Sequence, residues 1–179
     1  MTAPLRIFVP ADAAALSVGA EAVAGAIGAE AARRAIDIVL VRNGSRGLFW
    51  LEPLVEVETP AGRMGFGPVA VSDVAGLFAA GLADSGHDFA SAHALALGPI
   101  ESIPYLKDQQ RLTFARCGVI DPYSLAEYEA HGGIIGLRKA LAMAPTALVE
   151  EVVDSGLRGR GGAGFPTGIK WRTVAATEA

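Results

Sequence analysis

The residues whose types and spacing could do chemistry gather in one stretch, Ser155-Gly-Leu-Arg-Gly-Arg-Gly-Gly-Ala-Gly-Phe-Pro-Thr-Gly-Ile-Lys-Trp171. Six of the thirteen residues from Gly156 to Gly168 are glycine, far more than a plain turn needs. Glycine reaches positive φ at little cost and lets a ligand come into van der Waals contact with the main chain. Successive bare N–H groups can then form a concave site for phosphate. Arg158, Arg160, Lys170 and Arg172 flank the loop in an acidic chain, so local charge favours a phosphorylated ligand. Phe165, set among glycines, suits stacking on a flat ring better than packing in a core. Gly159-Arg-Gly161-Gly-Ala-Gly164 satisfies G-x-G-x-x-G, but the pattern before it is helical. A dinucleotide fingerprint needs a strand there, so the spacing alone is weak. A surface Gly/Arg loop and an RNA-binding Arg-Gly segment are the competing readings; the acidic balance and the single aromatic argue against RNA.

Elsewhere the chemistry is sparse. Cys117 lies beside Arg116, but no histidine is near in sequence and a buried structural cysteine is expected. His87, His93 and His131 have no metal-ligand spacing. Glu150, Glu151 and Asp154 read as the solvated face of a helix, and Trp50 and Trp171 as packing residues. No nucleophile–base pair stands out, and no side chain is singled out as acid or base.

The elements that position the loop can be read from hydrophobic spacing. Leu5–Val9 reads as a strand, Asp12 as an N-cap, and the alanine-rich run to Arg34 as one helix weakened by Gly19, Gly25 and Gly28. Ile36–Val41 reads as a second strand, giving a βαβ start. Pro53–Glu58 alternates as a half-buried strand, Pro60-Ala-Gly62 turns, and Met64–Val71 returns. A helix capped by Ser72 or Asp73 runs to about Leu82. Residues 84–110, with Gly98-Pro99 and Pro104, read as a linker. Helices follow over Ser124–Glu129, Ile134–Met143 and from Pro145 to a stop at Gly156. The expectation is an α/β chain with domains over 1–83 and 111–179.

Composition sets outer limits. The chain has 179 residues, 51% hydrophobic and 19% charged, with 15 Lys+Arg against 19 Asp+Glu and a net charge of −4. That is ordinary for a globular protein and argues against general nucleic-acid affinity. One cysteine excludes an intrachain disulfide or an iron–sulfur cluster held by this chain's cysteines alone. A mean hydropathy of +0.38 raises the question of a membrane span. Asp12, Glu21, Glu30, Asp73 and Asp84 interrupt the apolar stretches below the ~20 residues required. With no secretory pattern at Met1–Arg6, a cytoplasmic location is expected.

The glycine stretch closely resembles the hallmark loop of the NADH-binding, FMN-containing flavoprotein subunits of respiratory complex I and of the related diaphorase subunits of NAD-reducing hydrogenases and NAD-dependent formate dehydrogenases. The likeness extends upstream through Arg116-Cys-Gly-Val-Ile-Asp-Pro122, Tyr128, Gly132-Gly133 and Lys139–Pro145, covering about 111–173. It implies FMN and NAD as cofactors and hydride exchange between them, with single electrons passed to iron–sulfur centres. Gly159, Arg160, Gly161, Gly162, Ala163, Gly164, Phe165, Thr167, Gly168 and Lys170 would bind cofactor. Phe165 would lie against the nicotinamide nucleotide and Lys170 on the flavin mononucleotide. Thr173 stands where complex I subunits usually carry an aromatic. Lys170-Trp-Arg-Thr173 looks more like the hydrogenase and formate dehydrogenase diaphorases, and formate dehydrogenase is preferred. Partner iron–sulfur and catalytic subunits are implied, and the chain reads as the N-terminal part of such a protein, with a 4Fe-4S cluster expected only downstream. The first half resembles a thioredoxin-like ferredoxin domain in which Ser45 and Phe49 occupy two cysteine places, so it should be cluster-free and serve as scaffold or docking module.

Overall fold

A computed structural model describes residues 4–83 and 93–177, in two compact units, 1–128 and 129–179. The first is a mixed α/β unit on a five-stranded sheet. Strand β1 (Leu5–Phe8) leads through α1 (Ala13–Ser17) and α2 (Ala20–Arg33) to β2 (Ile38–Val41), which pairs parallel to β1 with Leu5 opposite Ile38. Strands β3 (Val55–Thr59) and β4 (Gly62–Phe66) form a hairpin, followed by a 3-10 turn (Val71–Asp73) and α3 (Val74–Ala79). β5 (Ala96–Pro99) adds at the edge, giving the order β2-β1-β3-β4-β5 with every contact but β1–β2 antiparallel. The parallel pair needs a crossover, and α2 supplies it.

Small and branched residues recur every three or four positions along α2, and Ala20, Val23, Ala24, Ile27 and Ala31 are buried. They join Ile7, Val57, Phe66, Leu77 and Phe78 in the main core. A second cluster of Leu48, Leu54, Ile100 and Leu106 closes the loop before β3 against a 3-10 turn (Ile100–Ser102) and α4 (Pro104–Lys107).

The structure departs from the periodicity at five places. The alanine-rich helix is two, because Gly19 takes φ +99 and breaks it after α1, whose cap is Asp12 Oδ1 accepting from Ala14 N–H at 2.9 Å. The alternation over 53–58 hides a buried charge: Glu56 is fully buried because Arg46 is buried against it. The return strand ends at Phe66 rather than Val71, where Gly67 N–H turns to Leu95 O. Within the stretch read as linker, residues 93–110 carry β5, the 3-10 turn and α4, because β4 leaves an edge to be paired; residues 84–92, with His87, lie outside the described residues. Cys117 is exposed, not buried.

The second unit holds α6 (Ile135–Leu141), α7 (Pro145–Asp154) and α8 (Thr167–Ala175), and α5 (Leu125–Ala130) runs across its start. Pro145 takes the first turn of α7, where its missing N–H costs nothing, and Gly156 at φ +63 ends it. The only buried described residues of this unit are Gly133 and Gly168. Among the described residues no helix is long and apolar enough to cross a membrane, and no group of three His, Cys, Asp or Glu could hold a metal ion.

Candidate functional site

The glycine stretch forms a closed loop between α7 and α8. Gly159 N–H donates to Phe165 O at 2.9 Å and Thr167 N–H to Leu157 O at 2.8 Å, and Arg158 bridges Pro166 antiparallel. This two-stranded neck carries a tip of residues 160–164. Two guanidinium groups brace it: Arg158 Nη1 donates to Gly164 O at 3.0 Å and Arg160 Nη1 to Arg158 O at 2.8 Å. Among the described residues the N–H groups of residues 160–165 have no protein acceptor. A row of exposed donors of this kind can receive an anion.

The glycines fall into three kinds. Gly162 (φ +113) and Gly164 (φ +59) need glycine for their backbone conformation. Gly168 needs it for packing: a Cβ there would stand 2.6 Å from Val153 Cα, so its bare backbone lets α8 lie close on α7. Gly159 and Gly161 need it for neither. Neither takes a positive φ; a Cβ on Gly161 would meet nothing within 4 Å, and one on Gly159 nothing nearer than Phe165 O at 3.7 Å.

Phe165 is 45% exposed, and Lys170 Nζ stands 5.6 Å from its ring centroid. These two residues, with Ile169, Thr173 and Val174, line an apolar depression along one face of α8. The Thr173 hydroxyl is engaged with its own helix, donating to Ile169 O at 2.9 Å. Of the ten residues expected to bind cofactor, the structure brings Gly159 to Phe165 and Lys170 to one loop and its shoulder. Thr167 closes the neck, and Gly168 faces α7.

One sequence expectation changes here. Arg172 does not add unmatched charge beside the loop, since Glu150 takes its guanidinium in two bonds, Nη2–Oε2 at 2.5 Å and Nε–Oε1 at 3.2 Å. The Arg172 partner holds the Glu150 carboxyl below its ordinary range. Glu151 is paired as well, with Lys139 Nζ at 2.6 Å; both carboxylates lie on the exposed face expected of this helix and bridge it to its neighbours. Trp50 packs edge-on against Tyr105 at 5.1 Å; it is 60% exposed and Trp171 45%, so both lie at the surface. The sequence held no signal for the buried Arg46–Glu56 pair, because a lone Glu in an alternating strand reads as its solvent face.

No protein-family model matches the chain. A solved structure of NAD+-reducing [NiFe]-hydrogenase in the air-oxidized state aligns at TM-score 0.37 and 21% identity, over 96% of this chain and 28% of that one. Among curated proteins, the HndC component of the NADP-reducing hydrogenase of Solidesulfovibrio fructosivorans is 57% identical over 65 residues, 36% of this chain and 13% of that protein. An NADH-quinone oxidoreductase subunit of Streptomyces coelicolor is 59% identical over 54 residues, 30% of this chain and 12% of that one. Its counterpart in the NADH-quinone oxidoreductase of Escherichia coli is 48% identical over 58 residues, 32% of this chain and 13% of its own length. Over a partial region, spanning about an eighth of the length of these curated relatives, the chain is similar to the subunits of the diaphorase family.

Proposed function

We propose that residues 111–173 form the start of the flavoprotein domain of a diaphorase, which exchanges hydride between NAD(H) and FMN and feeds single electrons to iron–sulfur centres in partner subunits. The observation that carries this reading is Gly161. Nothing among the described residues requires glycine there, and it sits in a tip whose N–H groups have no acceptor among them, so the reason for glycine lies in something that approaches from outside. The matched stretches in the relatives, 54 to 65 residues, are close in length to 111–173.

FMN, when bound, takes up a hydride as an electron pair and gives electrons back singly; the chain supplies binding, orientation and electrostatics. N–H groups of Arg160, Gly161, Gly162, Ala163 and Gly164 receive phosphate. Gly159 and Gly161 leave room for the ligand against bare peptide. Phe165 offers its exposed face to a flat ring, and Lys170 adds positive charge beside it. Thr167 and Gly168 act one step back, fastening the neck and seating α8 on α7. Formate as the ultimate donor rests on Lys170-Trp-Arg-Thr173 alone, and a hydrogenase or complex I setting shares every other feature. We place the protein in the cytoplasm.

The strand order and the βαβ-then-ββα succession of the first unit support a thioredoxin-like fold for residues 1–83. A second role, docking on an iron–sulfur partner, is favoured by exposed aromatic and aliphatic side chains around the loop carrying Ser45. Phe49 is 62%, Phe114 64% and Leu112 91% exposed. A pull-down against the partner subunits, with and without residues 1–82, tests it: only docking predicts loss on truncation.

The flavin reading is tested on the protein as its source expresses it, by FMN content and NADH-driven reduction of an artificial acceptor. Gly161→Ala is expected to weaken FMN binding tenfold or more with thermal stability unchanged. Full FMN content and activity in the Gly161→Ala protein would remove the loop from the site.

A further inference from the structure

We infer that Arg46 and Glu56 form a buried latch that fastens residues 111–120, as a strap, onto the sheet of the first unit. Both side chains are nearly sealed, Arg46 at 3% and Glu56 at 0% exposure. They join in a two-pronged bond, Arg46 Nε–Glu56 Oε1 at 2.6 Å and Nη2–Oε2 at 2.8 Å, while Nη1 reaches Glu101 at 2.6 Å. The same Glu56 steadies Arg63, whose Nη1 lies 3.4 Å from Oε2. Arg63 then donates to the strap itself, to Gly118 O at 3.1 Å and Val119 O at 2.6 Å, with its guanidinium carbon 3.4 Å from the Phe8 ring centroid. Asn43 Nδ2 adds a bond to Gly118 O at 2.7 Å, and Arg111 Nη2 one to Arg46 O at 3.4 Å.

The strap sits directly on the Arg46 side chain. Gly118 has φ +77, and a Cβ there would come within 2.2 Å of Arg46 Cγ, so glycine is required at this position for both reasons. A buried ion pair is a poor source of net stability, since desolvating both charges offsets most of their attraction. What it provides here is registry: one carboxylate holds two guanidinium groups, Arg63 where it donates to the strap's carbonyls and Arg46 where its side chain underlies Gly118. The strap thereby presents Leu112 and Phe114 along one cavity with Phe49, Tyr105 and Arg111. The latch stands on this geometry alone and does not depend on the flavin reading.

Hydrogen exchange on the full chain, followed by mass spectrometry, tests it. In the double variant Arg46→Met/Glu56→Leu, which keeps apolar bulk and removes both charges, amides of residues 112–120 are expected to exchange at least tenfold faster, with β1 and β3 unchanged. Unchanged protection of 112–120 would overturn the latch. So would a uniform rise that includes β1 and β3, because the pair would then serve general stability only. Should that variant not fold, Arg46→Lys keeps the charge but loses the fork. It is expected to raise exchange of the strap severalfold over that of β1 and β3, and equal exchange there would overturn the inference.

Discussion

At the residue scale, the loop glycines separate by what a methyl group would meet. Gly161→Ala adds a methyl into open space, so its effect on stability stays within about 0.5 kcal/mol, and only ligand binding should fall. Gly168→Ala drives a methyl into Val153 of α7 and is expected to cost about 1–3 kcal/mol. Thermal melts of the two variants side by side check the contrast. The family resemblance marks both glycines as cofactor contacts, and a motif match cannot distinguish a glycine facing a helix from one facing solvent. Glu52 was invisible for a similar reason. It is buried, accepts from Leu54 N–H at 2.9 Å and Ser45 Oγ at 2.7 Å, and burial pushes its carboxyl above the ordinary range. A raised carboxyl binds more protons folded than unfolded, so its stabilising contribution is full below the ordinary carboxyl range and is lost as pH rises through the raised value. Glu52→Gln keeps the acceptor for Leu54 and removes the buried charge. At neutral pH it should match or exceed the parent by up to about 1 kcal/mol, and should flatten the decline of stability with pH in urea titrations. A loss larger than that would contradict the assignment.

At the element scale, what was legible followed from local chemistry. Asp12 at the start of α1, Pro145 in the first turn of α7 and Gly156 at its end act within a turn of the chain, and each is found where its chemistry places it. What was not legible depends on distant partners. β5 forms because β4 offers an unpaired edge, and Glu56 is buried because a guanidinium ten residues earlier meets it. The bridges that tie α6, α7 and α8, Lys139–Glu151 and Arg172–Glu150, lie in solvent. Removing either by Glu→Gln is expected to leave stability unchanged within the scatter of a chemical melt. A larger loss in a chemical melt would mean that these helices depend on their charges more than on Gly168.

At the scale of the whole molecule, the two units differ in how much they bury. The first holds Phe8, Phe66, Ile27 and Leu77 fully out of water, whereas the second leaves Leu141 78% and Val174 74% exposed. About 50 residues, with no large side chain buried among those described, do not offset the entropy of ordering them. Residues 1–128 produced alone should therefore unfold cooperatively, and residues 129–179 alone should show little helix by circular dichroism. A cooperative transition in the second fragment would contradict this. The glycine loop belongs to that thinly packed unit, which fits a segment whose contacts are completed by a ligand.

The most direct test of flavin binding at the glycine loop is the visible spectrum of the natively expressed protein before and after NADH. The protein is expected to be yellow, with one flavin per chain whose absorption bleaches on addition of NADH, and to lose that flavin in Gly161→Ala. A colourless native protein, or a flavin that NADH leaves unchanged, would contradict it.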